Sequence, residues 1–124
     1  MTEKNKSLTI LVADDSPFSR SRVIEILEKA GYGTITAGDG LEVLEKIDQE
    51  KPDCILLDLL MPKMSGIDVL KELHEKKNII PVIVLSGDVQ KTTQVECKNL
   101  GAFDFVEKPI RAELVLSAVK TALS

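Results

Sequence analysis

The sequence predicts an α/β fold built on a doubly wound, five-stranded parallel sheet. Short apolar runs alternate with amphipathic stretches five times along the 124 residues, and the connections between them are short. A chain of this length is sufficient for one domain with a single core. Five strand–helix units joined by short connections favour an open parallel sheet with helices on both faces.

The predicted strands are short and mostly apolar. The first, third and fourth are almost uninterrupted apolar runs, which is typical of parallel strands covered on both faces. The five strands are predicted at Leu8–Ala13, Gly33–Ala37, Asp53–Asp58, Pro81–Ser86 and Ala102–Glu107.

Local signals mark several ends of the predicted helices. Ser16 precedes Pro17, which is a favourable N-cap followed by proline at the first helical position. Gly31 stands where a glycine commonly ends a helix, and Ser65 with Asp68 forms a capping-box pattern. The five helices are predicted at Pro17–Ala30, Gly40–Gln49, Gly66–His74, Val89–Leu100 and Arg111–Leu123.

Composition and charge exclude several classes of protein. The net charge of −4 disfavours a general nucleic-acid binder, which usually carries excess positive charge. No apolar run is long enough to span a bilayer, and residues 1–7 do not resemble a secretory signal. Those seven residues are expected to form a disordered or frayed tail. Cys54 and Cys97 lie in no CxxC pair, which favours free thiols and a cytoplasmic location.

Asp58 stands inside the apolar run Ile55–Pro62, where an unpaired buried charge would be very costly. It is therefore expected at the end of the third strand, where the run reaches the surface. In open α/β sheets, ligands bind outside the carboxyl ends of the strands. The first strand ends in Asp14 and Asp15 at this same edge, so three carboxylates are expected to share one crevice.

A cluster of carboxylates with no histidine or cysteine favours a hard divalent cation such as Mg²⁺. Two further groups end neighbouring strands, namely the hydroxyl of Ser86 and the ammonium of Lys108. A carboxylate beside a cation, a lysine and a hydroxyl is suited to accept a phosphoryl group. Taken singly, each residue has a simpler interpretation as a turn or surface residue, but their joint occurrence at four strand ends favours a site.

Other chemistries find no support in the sequence. His74 is the single histidine and is expected on the surface, which argues against a zinc site. Ser16 and Ser19 lack a histidine partner for a nucleophilic triad. Neither G-x-G-x-x-G nor G-x-x-x-x-G-K-[ST] occurs, so a nucleotide-binding loop is not predicted.

Four segments carry a resemblance to a known family: VADDSP (Val12–Pro17), ILLDLLMPKMSG (Ile55–Gly66), VIVLSGD (Val82–Asp88) and GAFDFVEKP (Gly101–Pro109). Together the chain resembles a response-regulator receiver domain of two-component signalling, of the CheY-like, single-domain kind. The resemblance covers about Leu8 to Leu123. It implies a receiver domain over residues 8–124 and the flavodoxin/CheY-like (βα)5 strand order 2-1-3-4-5.

The resemblance also implies roles for the crevice residues. Asp58 would accept a phosphoryl group from a histidine kinase or phosphotransfer protein. Asp14, Asp15 and Asp58, with the backbone carbonyl of Leu60, would hold Mg²⁺, and Lys108 would contact the phosphoryl group. Because Leu60 has no polar side chain to orient water, slow self-dephosphorylation is expected.

Two residues would transmit the signal. Ser86 takes the position of the switch hydroxyl and Phe105 that of the switch aromatic, and the Lys108–Pro109 bond is expected to be cis. Their movement would bias a face made by the fourth helix, fifth strand and fifth helix toward a downstream protein target.

The resulting hypothesis is a single-domain phospho-accepting switch, which catalyses only its own phosphorylation and dephosphorylation. Since the sequence stops soon after the fifth predicted helix, no output domain is expected, and neither nucleic acid nor membrane is an expected partner. Chemotaxis is suggested by fold-level analogy alone. Two alternatives remain open: an unphosphorylated interaction module, and a Mg²⁺-dependent hydrolase that uses Asp58 as nucleophile.

Overall fold

The computed structural model describes residues 8–88 and 90–124, and it contains all five predicted strands and all five predicted helices in order. The strands are β1 (Thr9–Ala13), β2 (Gly33–Ala37), β3 (Cys54–Asp58), β4 (Val82–Ser86) and β5 (Asp104–Glu107). The helices are α1 (Pro17–Lys29), α2 (Gly40–Glu50), α3 (Gly66–Glu75), α4 (Lys91–Asn99) and α5 (Ala112–Ala122).

The bounds differ from the predicted ones by one or two residues at most ends. The expected tail, residues 1–7, and the expected start of the fourth helix at Val89 lie outside the described residues. The fifth strand begins at Asp104, two residues later than predicted. The reason is that the N–H of Ala102 donates to Cys97 at the end of α4 and so takes no part in the sheet.

The strands form one parallel sheet in the order β2-β1-β3-β4-β5, which confirms the predicted fold class and strand order. The chain changes direction across the sheet between β1 and β3, so their carboxyl ends adjoin at the topological switch point. Ala13 pairs with Leu57, which places Asp14 level with Asp58. The register thus brings the ends of β1 and β3 to one crevice.

Each face of the sheet packs against its own set of helices. One core cluster joins Leu11, Ile55 and Leu57 of the sheet to buried residues of α2, α3 and α4. The other joins Val12 and Leu56 to buried residues of α1 and α5. Because consecutive residues of a strand point to opposite faces, a central strand such as β3 is covered on both sides and is apolar up to its last residue. All five residues of β3 are buried, including Asp58.

The helix starts and ends that the sequence marked are formed by the expected residues. Ser16 Oγ accepts a hydrogen bond from the N–H of Ser19 at 3.3 Å. Ser65 Oγ accepts one from the N–H of Asp68 at 3.2 Å. Gly31 has φ of +96°, the left-handed conformation that favours glycine after a helix. None of the helices in the described parts of the chain combines the length and apolarity that crossing a bilayer requires.

Both cysteines are free thiols in the interior. Burial in β3 raises the pKa of Cys54 from an ordinary value of 9.0 to about 12. Between these values the unfolded chain loses the thiol proton while the folded chain keeps it. The folded state is therefore favoured below pH 9 and loses that advantage as the pH rises toward 12.

We expect the free energy of unfolding to fall between pH 9 and pH 11 by up to about 1.4 kcal/mol per pH unit through this thiol. Cys54→Ala lowers stability at every pH because it leaves a cavity, but its free energy of unfolding should decline less steeply with pH. Urea unfolding of both proteins at several pH values measures the two slopes. Equal slopes would show that Cys54 ionises alike in the folded and unfolded states.

Candidate functional site

Three carboxylates meet at the carboxyl ends of β1 and β3. One oxygen each from Asp14, Asp15 and Asp58 lies within 4.8 Å of the others. Asp14 is fully buried and Asp58 is 6% exposed, whereas Asp15 is open to solvent. The structure therefore brings together the three acidic residues that the sequence placed in one crevice.

The ammonium of Lys108 enters this cluster from the end of β5. Its Nζ lies 2.8 Å from Asp58 Oδ2 and 3.3 Å from Asp14 Oδ2. The backbone N–H of Lys108 donates to the carbonyl of Ser86 at 2.8 Å, and the following bond to Pro109 is cis, as the resemblance implied. Lys108 thus bridges two of the three carboxylates.

Backbone groups hold the two buried carboxylates in place. Asp58 Oδ1 accepts a hydrogen bond from the N–H of Leu60 at 3.1 Å. Asp14 Oδ1 accepts one from the N–H of Ser16 at 2.9 Å. In both residues the other oxygen faces Lys108, so the carboxylates are oriented toward the crevice.

Negative charge exceeds positive charge within this cluster, because three carboxylates face one ammonium. Burial raises the pKa of Asp58, and the charge of Asp14 adds to that rise against the lowering influence of Lys108 and of the Leu60 N–H. Burial by itself would lower the pKa of Lys108, but the hydrogen bond and charge of Asp58, together with Asp14, raise it. The lysine is held charged, and the cluster still favours a further cation.

The donor set fits a hard divalent cation. The three carboxylates offer only oxygen atoms, at separations that one ion can span. Mg²⁺ is commonly bound by one or two carboxylates together with water and phosphate oxygens. With the cation and Lys108 to neutralise charge, the buried carboxylate of Asp58 is placed to act as a nucleophile toward a phosphoryl group.

Comparison with known proteins supports this interpretation of the crevice. The family described as "Response regulator receiver domain" matches residues 10–120. The chain belongs to the response-regulator receiver domain family. Receiver domains of this family accept phosphoryl groups and bind Mg²⁺ at an acidic pocket, and this chain has a cluster of three aspartates at the corresponding edge of its sheet.

The relatives of this receiver domain include proteins of different length. It is 34% identical to the chemotaxis protein CheY of Listeria monocytogenes, over 93% of this chain and 98% of that protein. It is 40% identical to the alkaline phosphatase synthesis transcriptional regulatory protein PhoP of Bacillus subtilis, over 92% of this chain. The match spans about half of PhoP, since it covers 48% of the length of that protein. The structure of the Vibrio cholerae chemotaxis protein CheY4 matches with a TM-score of 0.86 and 30% identity, over 94% of this chain and 98% of that chain.

Ser86 is buried at the end of β4, the strand that pairs with β3, and it follows Leu85, the register partner of Asp58. Its Oγ accepts a hydrogen bond from the N–H of Asp88 at 3.0 Å. The Asp88 carboxylate in turn accepts hydrogen bonds from the N–H of Gln90 at 3.0 Å and from Thr93 Oγ1 at 2.9 Å. In this receiver domain the hydroxyl is therefore linked through Asp88 to the start of α4.

Phe105 lies outside the crevice. It is partly buried against the core cluster under α2, α3 and α4, and it lines a groove of about 320 Å³ between α4 and β5. Val95 and Phe103 line the same groove, and each is 48% exposed. The predicted switch aromatic thus lies on the α4–β5 side, and β4 separates its strand from β3, which carries Asp58.

His74 is exposed in the last turn of α3, which agrees with its expected surface position.

Three residues near the crevice were missed by the sequence analysis. Arg20 Nη1 donates to the carbonyl of Asp14 at 2.6 Å, and Arg22 Nη2 donates to the carbonyl of Ile110 at 3.1 Å. Gly66, the first residue of α3, lies so close to the backbone of Asp58 and Leu59 that a Cβ would overlap it. No local pattern marks these contacts. The Arg22 contact joins residues 88 positions apart, the Arg20 side chain bends back to the carbonyl before its own helix, and the Gly66 contact depends on backbone packing.

Proposed function

We propose that this receiver domain is a phospho-accepting signalling switch in which Asp58 takes a phosphoryl group from a histidine kinase or phosphotransfer protein. The observation that carries the proposal is the 2.8 Å contact between Lys108 Nζ and Asp58 Oδ2 inside the cluster of three carboxylates. A nucleophilic carboxylate, a lysine and an oxygen donor set for Mg²⁺ are the groups that phosphoryl transfer to an aspartate requires.

The transfer replaces a P–N bond by a P–O bond. An Asp58 oxygen attacks the phosphorus of a phosphohistidine, and the imidazole nitrogen leaves and takes up a proton from water. Lys108 pairs with a phosphoryl oxygen as the charged phosphoryl group is transferred to Asp58. Mg²⁺ held by Asp14, Asp15, Asp58 and the backbone carbonyl of Leu60 would neutralise charge on the transferred group. The N–H of Leu60 keeps Asp58 oriented.

Ser86 and Phe105 would then transmit the effect of phosphorylation to a protein-binding face. A phosphoryl group adds about −1.5 to −2 charges at neutral pH and offers strong acceptor oxygens. When Ser86 moves to donate to it, the hydroxyl leaves the N–H of Asp88, whose carboxylate accepts hydrogen bonds from Gln90 and Thr93 at the start of α4. Phe105 turns inward in the vacated space, and the face formed by α4, β5 and α5 shifts toward the state that binds a downstream protein.

The first test is the intact mass of the full chain after brief incubation with acetyl phosphate, with Mg²⁺ and with a chelator. We expect a gain of one phosphoryl group that requires Mg²⁺, and peptide mapping should place it on Asp58. If Mg²⁺ binds but no phosphoryl group is gained under any condition, the proposal is wrong and the domain functions as an unphosphorylated interaction module.

Leu60 is proposed to make the phosphorylated state long-lived. Its side chain is 79% exposed at the rim of the crevice and has no group that could orient an attacking water. We expect Leu60→Asn to speed phosphate loss about fivefold to tenfold, the effect of one hydrogen bond of roughly 1 kcal/mol in the transition state. Decay of the phosphorylated mass after removal of the donor measures the rate. An unchanged or slower decay would contradict this role of Leu60.

The partners follow from the chemistry of the switch. We propose a histidine kinase or phosphotransfer protein upstream, a downstream protein on the α4–β5–α5 face, and a cytoplasmic location. The negative net charge disfavours nucleic acid as a direct partner. One relative is named a chemotaxis protein and another a transcriptional regulatory protein, so the relatives favour no single pathway.

A further inference from the structure

A long side chain of α1 binds the backbone of the loop that carries Lys108. Arg22 lies on the exposed side of α1, and its Nη2 donates a hydrogen bond to the carbonyl of Ile110, 88 positions later, at 3.1 Å. Ile110 is two residues beyond Lys108, and its own side chain is 8% exposed in the core between α1, α5 and the sheet. The loop is therefore held by Ile110 packing inward and by Arg22 binding its backbone.

Backbone hydrogen bonds hold the two ends of this loop, from the N–H of Lys108 to the carbonyl of Ser86 and from α5 to the carbonyl of Arg111. The strand before it, β5, is four residues long, lies at the edge of the sheet, and is exposed at Asp104 and Glu107. The helix after it, α5, has Arg111 as its N-cap residue, and that side chain makes no hydrogen bond to the first turn. The Arg22 contact adds a hydrogen bond to the loop backbone between these two ends, and it therefore contributes to where the Lys108 ammonium lies.

Two arginines on α1 bind backbone carbonyls in two different segments around the crevice. Residues two positions apart point about 200° apart around a helix. Accordingly, Arg20 reaches the carbonyl of Asp14 on the β1–β2 side, while Arg22 reaches the β5–α5 loop on the other. A guanidinium suits this task, because it is always charged and presents its donors in a rigid plane.

We propose that Arg22 is a positioning residue that holds the β5–α5 loop so that Lys108 stays between Asp14 and Asp58. The inference rests on the proposed function, since Lys108 is the group through which Arg22 would act on phosphoryl transfer. A displacement of a charge-neutralising group by a fraction of its contact distance lowers the rate of the chemical step without removing the group itself.

The test compares three variants of the 124-residue chain, Arg22→Gln, Arg22→Lys and Arg111→Gln. The last removes the same charge from the exposed N-cap residue, directly before α5, and is the matched control. One readout is the rate of phosphoryl uptake from acetyl phosphate with Mg²⁺. The other, which does not require phosphorylation, is the rate at which an amine-reactive acylating reagent modifies Lys108, measured by peptide mass spectrometry without metal.

We expect Arg22→Gln to slow phosphoryl uptake about fivefold to tenfold. It should speed acylation of Lys108 about threefold or more, since the Lys108 side chain is less firmly held between the two carboxylates. Arg111→Gln should stay within about twofold of the wild type in both, and Arg22→Lys should recover part of the rate. In a Lys108→Met background, Arg22→Gln should slow uptake no further, because the residue through which it acts is absent.

Unchanged uptake and unchanged Lys108 acylation in Arg22→Gln would overturn the inference, as would an equal loss of uptake in Arg111→Gln. An additive loss in the Lys108→Met background would also overturn it, because Arg22 would then act elsewhere. If the wild-type chain takes up no phosphoryl group, the proposed function fails, and the acylation rates still decide whether Arg22 positions Lys108.

Discussion

Asp58→Asn is expected to take up no phosphoryl group under conditions in which the wild-type chain takes up one. An amide is not nucleophilic, so the loss should be on the order of 10⁴-fold or more, as for other reactions that lose their nucleophile. Asparagine is nearly the same size, and its side-chain oxygen still accepts a hydrogen bond from the N–H of Leu60. The substitution therefore removes the chemistry while it largely preserves the loop.

The matched control is Asp48→Asn, which makes the same chemical change at an exposed position of α2. This variant should gain one phosphoryl group at the wild-type rate, and both variants should unfold cooperatively in urea. Intact mass and peptide mapping provide the measurement. Uptake by Asp58→Asn at the wild-type rate would place the acceptor on another residue and would contradict the assignment of Asp58.

Gly66→Ala is expected to destabilise the fold by about 3 kcal/mol, near the upper end of the usual effect of overpacking. A Cβ at Gly66 would overlap the carbonyl oxygen of Asp58 and would lie 2.6 Å from Leu59 Cα. These are backbone atoms at the end of a central strand, so they have no freedom to turn aside. The N–H of Gly66 also donates to the carbonyl of Leu59 at 2.9 Å, which fixes the start of α3 on this loop.

Because the backbone of Asp58 itself has to move, Gly66→Ala should also slow phosphoryl uptake in the fraction that remains folded. The control is Gly87→Ala, since a Cβ at Gly87 would meet no atom within 4 Å and its φ is not in the left-handed region. Its stability should change by less than about 1 kcal/mol. Urea unfolding of the three proteins gives the comparison. Equal stability of Gly66→Ala and the wild type would show that the loop after β3 has room to shift.

The strand ends show why much of the candidate site was predictable. In a parallel sheet every strand ends at the same edge, so chemistry-bearing residues that follow apolar runs converge without further information. This argument placed Asp14, Asp15, Asp58 and Lys108 in one crevice, where the structure has them. Their roles in phosphoryl transfer came from resemblance and stay predictions.

The end of α4 shows where the prediction lost accuracy. The apolar and aromatic run from Ala102 predicted a strand two residues longer than the one observed. The N–H of Ala102 donates instead to the carbonyl of Cys97. The N–H of Phe103 donates a hydrogen bond to the carbonyl of Val82 before regular pairing begins at Asp104. Which partner an N–H finds depends on the distance between segments, and composition does not record that distance.

The sequence by itself determined the α/β class, the helix starts at Ser16 and Ser65 and the group of residues at the strand ends. These follow from local periodicity, local capping and the common direction of parallel strands. The tertiary structure decided that one ammonium bridges Asp58 and Asp14, that Gly66 has no room for a side chain, and that Arg22 binds the carbonyl of Ile110. Such contacts depend on ångström-scale distances between segments that only packing brings together, which is why the pattern of residues along the chain does not reveal them.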